Sequence, residues 1–366
     1  MKITEALNTL PRLTYRWLRL NHREIPGGLE FPLKPYKKAF LPKAIDSDLI
    51  LQETRGETQI DYLAEKGSFG VAEKLVSFGE RFSNAGFYLE IPKGKKAAKP
   101  LHIMYELAGD DDAVNDHNVI VAGENSSVTV IIEYGQKGVK PAYHNGVTKV
   151  FAGEGAEVTL IKVQRLSAEA YHLDSVLLAA DDTAKVKAIQ VELGGKYSIT
   201  NYQSRLAKGS DAAIDAIYFG DGGRVLDLSY HMIHKGFRSK SNIAVRGALR
   251  QQARKVFRGT LDFRRGSHLA DGNEEEYVIL LDPTVKSDAI PLLLAEEDDV
   301  QGEHAASAGK VDPNQLFYLM SRGFSEAEAV RAIVQASFDP LLAGVCADVR
   351  LKIQEEVGRR LLNVKT

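Results

Sequence analysis

One segment of this chain repeats itself, and the repeat constrains the fold more than any other feature. Ala122-Gly-Glu-Asn-Ser-Ser-Val128-Thr-Val-Ile131 returns as Ala152-Gly-Glu-Gly-Ala-Glu-Val158-Thr-Leu-Ile161 and again as Ala180-Asp-Asp-Thr-Ala-Lys-Val186. A fainter copy, Gly209-Ser-Asp-Ala-Ala-Ile214, follows, and the spacing is 28 to 30 residues. Each unit is a polar turn carrying Gly or Asp, then a strand of alternating β-branched residues such as Val128-Thr129-Val130-Ile131. Strand–turn units at a fixed period, with no helix between them, point to a solenoid. A β-helix is its natural form, because each coil pairs its backbone with the next and buries an inward stripe. A two-sheet sandwich is the alternative that the repeat alone leaves open.

Composition narrows the class. The chain has 366 residues, too many for one small core, so a large domain with appendages is expected. Hydrophobic content of 44% and charged content of 26% are those of a globular protein. A net charge of −2 argues against a general polyanion binder. No run of about 18 apolar residues occurs, so no membrane helix is expected. The opening MKITEALNTLPRLTYRWLRL is broken by Asn, Pro and Arg and does not read as a signal peptide, which makes a cytoplasmic location the expectation. The single cysteine, Cys346, excludes an internal disulfide and any CxxC metal site.

Both ends read as helical. Ile3, Leu7, Leu10, Leu13, Trp17 and Leu20 fall at helical spacing, with Pro11 as a break. Residues 21–60 are rich in Pro and Gly and read as connecting coil. Near the C-terminus, Asp312-Pro313 is an N-cap followed by proline at the first helical position, and Ser321-Arg322-Gly323 is a basic last turn ending in glycine. Ser325-Glu-Ala-Glu328 is a capping box, and Asp339-Pro340 is expected to start a last helix. The apolar positions of that helix, Leu341, Val345, Val349, Ile353, Val357 and Leu361, step by four. Such a row drifts about 40° per step around the axis and wraps a curved surface. Packing against the chain's own helices and docking of a partner are both open to it. The expected organisation is residues 1–80 as a helical and coil region, 81–309 as the β-helix and 310–366 as a helical domain.

The segment Asp299–Gly323 is the most specific in the sequence. Its strand half alternates Val300, Gly302, His304 and Ala306 against Gln301, Glu303 and Ala305, so His304 projects from one face. With Gly309, Asp312, Gln315-Leu316-Phe317-Tyr318-Leu319 and Ser321-Arg322-Gly323, it resembles the SufB/SufD family of iron–sulfur cluster assembly scaffolds. More than ten positions match in order. Gly86-Phe87-Tyr88-Leu89-Glu90-Ile91-Pro92-Lys93-Gly94, with Pro100-Leu101, and Arg254-Lys255-Val256-Phe257-Arg258-Gly259 extend the likeness to roughly residues 80–335. The family's Glu-x-Trp-basic-aromatic-Thr signature is absent from the first 80 residues.

The resemblance implies a mainly β fold: a right-handed parallel β-helix core flanked by N-terminal and C-terminal α-helical regions. It implies a non-enzymatic scaffold subunit, SufD-like in type, of a complex with a SufB-like paralogue and a SufC-like ABC ATPase. Two departures from SufB-type members support that branch. Ala305 stands where a glutamate follows the histidine, and no cysteine occurs in Asn273-Glu-Glu-Glu-Tyr-Val-Ile-Leu-Leu281, where Glu276 falls nearest. One cysteine cannot build a three- or four-thiolate site, so no stably bound cofactor is expected in this chain alone. A transient iron or iron–sulfur cluster is expected with the SufB partner. By the resemblance His304 is the candidate metal and nascent-cluster ligand at that junction, since imidazole suits iron beside a partner's thiolate. Phe317, Arg322, Phe324, Leu341, Val345 and Val349 are the expected contacts to the ATPase.

The remaining candidates read as structural. His231 and His234 would point to opposite faces of a strand. His117-Asn118 and His144-Asn145 are expected to line turns, and Cys346 to be a buried thiol. Arg246, Arg250, Arg254, Lys255, Arg258, Arg264 and Arg265 read as a solvated strand face with local ion pairs, not a nucleic-acid patch. No GxxxxGK[ST] sequence occurs, so ATP hydrolysis would come from elsewhere. Two alternatives remain: a SufB-like homodimeric scaffold and, remotely, a β-helix polysaccharide lyase or hydrolase, whose carboxylates (Asp181, Asp182, Glu192, Asp215) would recur mainly in turns. A homodimer through exposed β-helix edges is expected when the chain is alone.

Overall fold

The computed structural model describes residues 1–14, 18–56 and 68–362. Its centre is a parallel β-helix built from two facing sheets. The nine-stranded sheet runs β3 (Ile50–Glu53), β4 (Ala85–Ile91), β6 (Ala113–Ala122), β8 (Tyr143–Ala152), β10 (Tyr171–Ala180), β12 (Tyr197–Leu206), β14 (Val225–His234), β16 (Arg254–Phe263) and β18 (Lys286–Ala295). The eight-stranded sheet runs β5 (Leu101–Leu107), β7 (Ser127–Gln136), β9 (Glu157–Arg165), β11 (Lys185–Glu192), β13 (Asp211–Gly220), β15 (Lys240–Leu249), β17 (Asp271–Leu280) and β19 (Gln301–Gly309). Every pairing within them is parallel except β3 with β4.

The repeat maps onto this geometry column by column. Val128, Val158, Val186 and Ala212 are register partners on β7, β9, β11 and β13. The turn before each strand holds one residue in the left-handed region: Asn125, Gly155, Thr183 and Gly209, continued by Arg238 and Leu269. Each donates its N–H to a carbonyl of the next coil, Asn125 to Glu154, Gly155 to Asp182 and Thr183 to Lys208. Gly and Asn take that conformation readily. Tyr143, Tyr171 and Tyr197 stack on the outer face with ring centroids 5.7 Å apart at both steps.

Two appendages cover the outer faces. Ile3, Leu7, Leu29, Phe31 and helix α1 (Glu73–Phe82) pack over Leu173 and Ile199 on the nine-stranded sheet. The helix expected from residues 3–20 is absent among the described residues. Instead a strap forms, with β1 (Lys2–Ile3) paired to β2 (Leu29–Glu30) and a bridge from Leu7 to Arg23. The apolar spacing follows the sheet beneath it rather than a helix axis. Asn8, in the left-handed region, pins the strap by donating to the Thr200 and Asp227 carbonyls and to the Asp227 carboxylate (2.8 Å). Buried Asp227 also receives Arg23 and Arg258. Trp17 lies outside the described residues.

On the other side, α2 (Pro313–Ser321), α3 (Glu326–Phe338), a 3-10 turn (Asp339–Leu342) and α4 (Ala347–Leu362) complete the chain. Leu341, Val345, Val349, Ile353, Val357 and Leu361 all pack on the outer face of the eight-stranded sheet, against residues such as Ile161, Val191 and Ile217. No helix among the described residues is long and apolar enough to cross a membrane.

Candidate functional site

The two ends of the β-helix differ. At the first coil, β3 pairs with β4, and Tyr36, Phe40 and Leu49 join the core. At the last coil, β18 and β19 end their sheets with no further strand among the described residues. The inward column of the coils below continues there to solvent: Ala289, Leu293, His304 and Ala306 are exposed. His304 sits in this open mouth. In register it stacks on Glu274 of β17, and Ala306 stacks on Glu276.

Immediately beneath lies a buried polar cluster. Lys255, Glu274 and Glu276 are at most 4% exposed. Lys255 Nζ donates to Glu276 (2.8 Å) and to the Asp288 carbonyl (3.0 Å). Tyr218 donates its hydroxyl to Glu276 at 3.0 Å, reaching from β13 past β15 to β17. Gly247 makes this reach possible: a Cβ there would lie 1.9 Å from the Tyr218 ring. Gly259 plays the same part for Glu274, whose carboxylate would be 2.1 Å from a Cβ at that position. Glu276 is thus satisfied by a cation and a phenol, while Glu274 Oε2 has no hydrogen-bond partner. Burial, then the neighbouring Glu276, pushes the Glu274 carboxyl up to about 8. Burial pulls the Lys255 ammonium below its ordinary range, with Glu276 opposing.

A second buried network fills the lumen nearer the capped end, on β6 to β12. Lys162 Nζ donates to Asp174 (2.7 Å) and Thr148 (3.0 Å). His144 Nε2 lies 2.6 Å from Asp116, and its Nδ1 lies 2.7 Å from His172 Nδ1. One consistent proton arrangement has His144 donating to Asp116 through Nε2 and accepting from His172 at Nδ1. Burial pulls His144 below its usual range, against the pull of Asp116. Gln164 and Ser198 both hold Glu192.

Sequence reading missed this network. It took His144 for a turn residue and the carboxylate Glu192 for part of a turn-rich set, but both point into the lumen of their strands and are fully buried. His117, three register columns along and on the opposite face of the sheet, faces outward beneath α1, and burial lowers it to about 4. Alternation was the available signal, but strands buried on both faces give no clue to which parity is inward.

Other expected residues fall as follows. His231 and His234 do lie on opposite faces of β14: His234 is inside, between Ser239 and Ser241, and His231 meets Asp262 outside. Cys346 is exposed, not buried, because the turn into α4 directs Val345 inward and the next residue out. Lys255 and Arg258 are buried in ion pairs and do not belong to a solvated face. Arg246 pairs with Glu275, and Arg264 with Asp262 and Glu296. Leu341, Val345 and Val349 are buried against the chain's own sheet, which removes them as direct partner contacts. On α2, by contrast, no residue is buried, and Phe317, Tyr318, Met320 and nearby Phe324 are exposed large apolar side chains. Arg322 lies over the Tyr318 ring at 5.2 Å.

No group of three or more His, Cys, Asp or Glu side chains poised for a metal occurs among the described residues. Comparison with known proteins then fixes the family. Residues 105–337 match the SufBD core domain of the SUF iron–sulfur cluster assembly system. The iron–sulfur cluster assembly protein SufD of Bacillus subtilis is 30% identical over 272 residues, covering 74% of this chain and 62% of the relative. SufBD family proteins of Staphylococcus epidermidis and Staphylococcus haemolyticus are each 27% identical over 274 residues, covering 73% of this chain and 58% of theirs. The chain spans about three fifths of the length of these relatives. With the β-helix, the open last coil and a core-domain match over most of its length, the chain belongs to the SufB/SufD family of iron–sulfur cluster assembly proteins.

Proposed function

We propose that this chain is a non-enzymatic, SufD-like scaffold subunit that joins a SufB-like paralogue through the open end of its β-helix. The observation that carries the reading is the position of His304, exposed in the mouth of a coil whose two outer strands have free edges. Edges of ten and nine residues are a strong template for another β-helix. A partner stacked there would enclose His304 at the junction, where one imidazole can ligate iron alongside thiolates from the paralogue. The iron and sulfide are cargo in this scheme, transient and passed on.

ATP hydrolysis would come from a SufC-like ABC ATPase. The surface that fits it is the unburied α2 and the following turn, with Phe317, Arg322 and Phe324. The apolar row on α3–α4 would act indirectly, by fixing that surface to the eight-stranded sheet. The protein would act in the cytoplasm.

Co-expression with SufB-like and SufC-like partners, followed by light-scattering mass, tests the reading. A discrete complex of all three is expected. A chain that remains a monomer or homodimer in their presence refutes it. His304→Ala is expected to leave the complex intact and abolish cluster maturation, and full maturation in that variant removes His304 from the site.

A further inference from the structure

The mouth of the β-helix holds a second group that the assembly reading does not use. Glu274 lies one strand below His304 in the same inward column, so strand spacing sets their Cα atoms about 4.8 Å apart. It is 3% exposed, and its Oε2 has no hydrogen-bond partner. Buried carboxylates are ordinarily paired or hydrogen-bonded. The neighbour Glu276 obeys that rule fully, through Lys255 and Tyr218. Among the described residues no cation pairs with Glu274. The space it occupies is also purpose-shaped, since a side chain at Gly259 would collide with its carboxylate.

We propose that Glu274 is a second cation ligand of this site, forming with His304 a two-ligand, one-nitrogen and one-oxygen seat for a divalent iron-class cation at the open end of the β-helix. The proposal rests on the assembly reading for its cargo, but its chemistry is local. A borderline divalent cation accepts imidazole nitrogen and carboxylate oxygen together. Two ligands leave the other positions open to water or to a partner's side chains, in keeping with the absence of any three-ligand group in this chain among the described residues. Binding requires the Glu274 carboxylate to swing from its place over Gly259 toward the mouth, within its own column. Coordination forms the metal–ligand bonds, and the proton held by the buried carboxyl passes to solvent as they form.

Cobalt(II) alone, titrated anaerobically into the full chain and followed by its visible absorption and by calorimetry, tests this. One equivalent is expected to bind. Glu274→Gln keeps the shape but cannot become an anionic oxygen ligand, and is expected to weaken binding at least about tenfold, as is His304→Ala. Circular dichroism reports that each variant is folded. Binding of the Glu274→Gln variant within twofold of the parent overturns the proposal, and so does a parent chain that binds no cobalt. Cluster maturation in cells separates the two readings. If Glu274→Gln and His304→Ala both lose cobalt but both mature clusters normally, the cation seat stands and the assembly role of His304 fails. If His304→Ala alone loses maturation while Glu274→Gln binds cobalt normally, the assembly reading stands and this one fails.

Discussion

Lys162 offers a direct test of how the lumen is held together. Its ammonium is 1% exposed, 2.7 Å from an Asp174 oxygen, 3.0 Å from Thr148 and 5.3 Å from the centre of the Tyr134 ring. Lys162→Met keeps the unbranched stem and deletes the charge. Asp174 is then wholly buried with neither oxygen satisfied, because its other oxygen has no partner even now. At an effective dielectric of 20, a pair at this separation attracts by about 6 kcal/mol, of which desolvation normally offsets a part. Breaking one side of such a pair typically costs 3–5 kcal/mol, so a loss of about 4 kcal/mol is expected. That is a large share of a typical stability of about 5–15 kcal/mol. Urea unfolding followed by far-ultraviolet circular dichroism measures it. The double variant Lys162→Met, Asp174→Asn removes both charges and should recover at least about half of the loss. A single variant within about 1 kcal/mol of the parent, or a double variant worse than the sum of the singles, would refute the assignment of this pair as an electrostatic support of the lumen.

Two further outcomes are expected. Gly247→Ala forces a methyl into the Tyr218 ring and should cost about 3 kcal/mol in the same assay, through overpacking and loss of the hydroxyl held on Glu276; an unchanged unfolding midpoint would sink the packing argument. The acid limb of stability should track buried histidines. Burial lowers His234 from 6.5 to about 4, so above pH 6.5 the ring is neutral in both states and adds no slope. Below it the unfolded chain takes up a proton that the fold refuses, and stability falls by about 1.4 kcal/mol per pH unit down to pH about 4. His234→Gln should flatten that fall between pH 6.5 and 4. An identical slope in parent and variant would exclude the ring as its source.

The β-helix was legible in the sequence because its turns and inward valines recur at one period, and Val128, Val158 and Val186 do stack. The caps of α2 and α3 were equally plain, since Asp312 and Ser325 each accept from the backbone of the following turn. The strap at residues 3–14 was not. Its apolar spacing matches a helix, but Asn8 and the sheet beneath hold it as a strap across the outer face. The lumen was hidden for a different reason. His144 and Asp174 sit in strands with both faces buried, so periodicity carries no mark of inside and outside. Only the register of β17 with β19 places Glu274 and Glu276 below His304 and Ala306.

The unequal ends of the β-helix also set a limit on growth. A stack of coils open at both ends could add copies indefinitely along its axis and form a fibre. Here Tyr36, Phe40 and β3 close one end. Two copies of this chain joined through the other end would stop at two bodies, since each has only its mouth to offer. The cap thus turns an edge that invites aggregation into a device that counts to two.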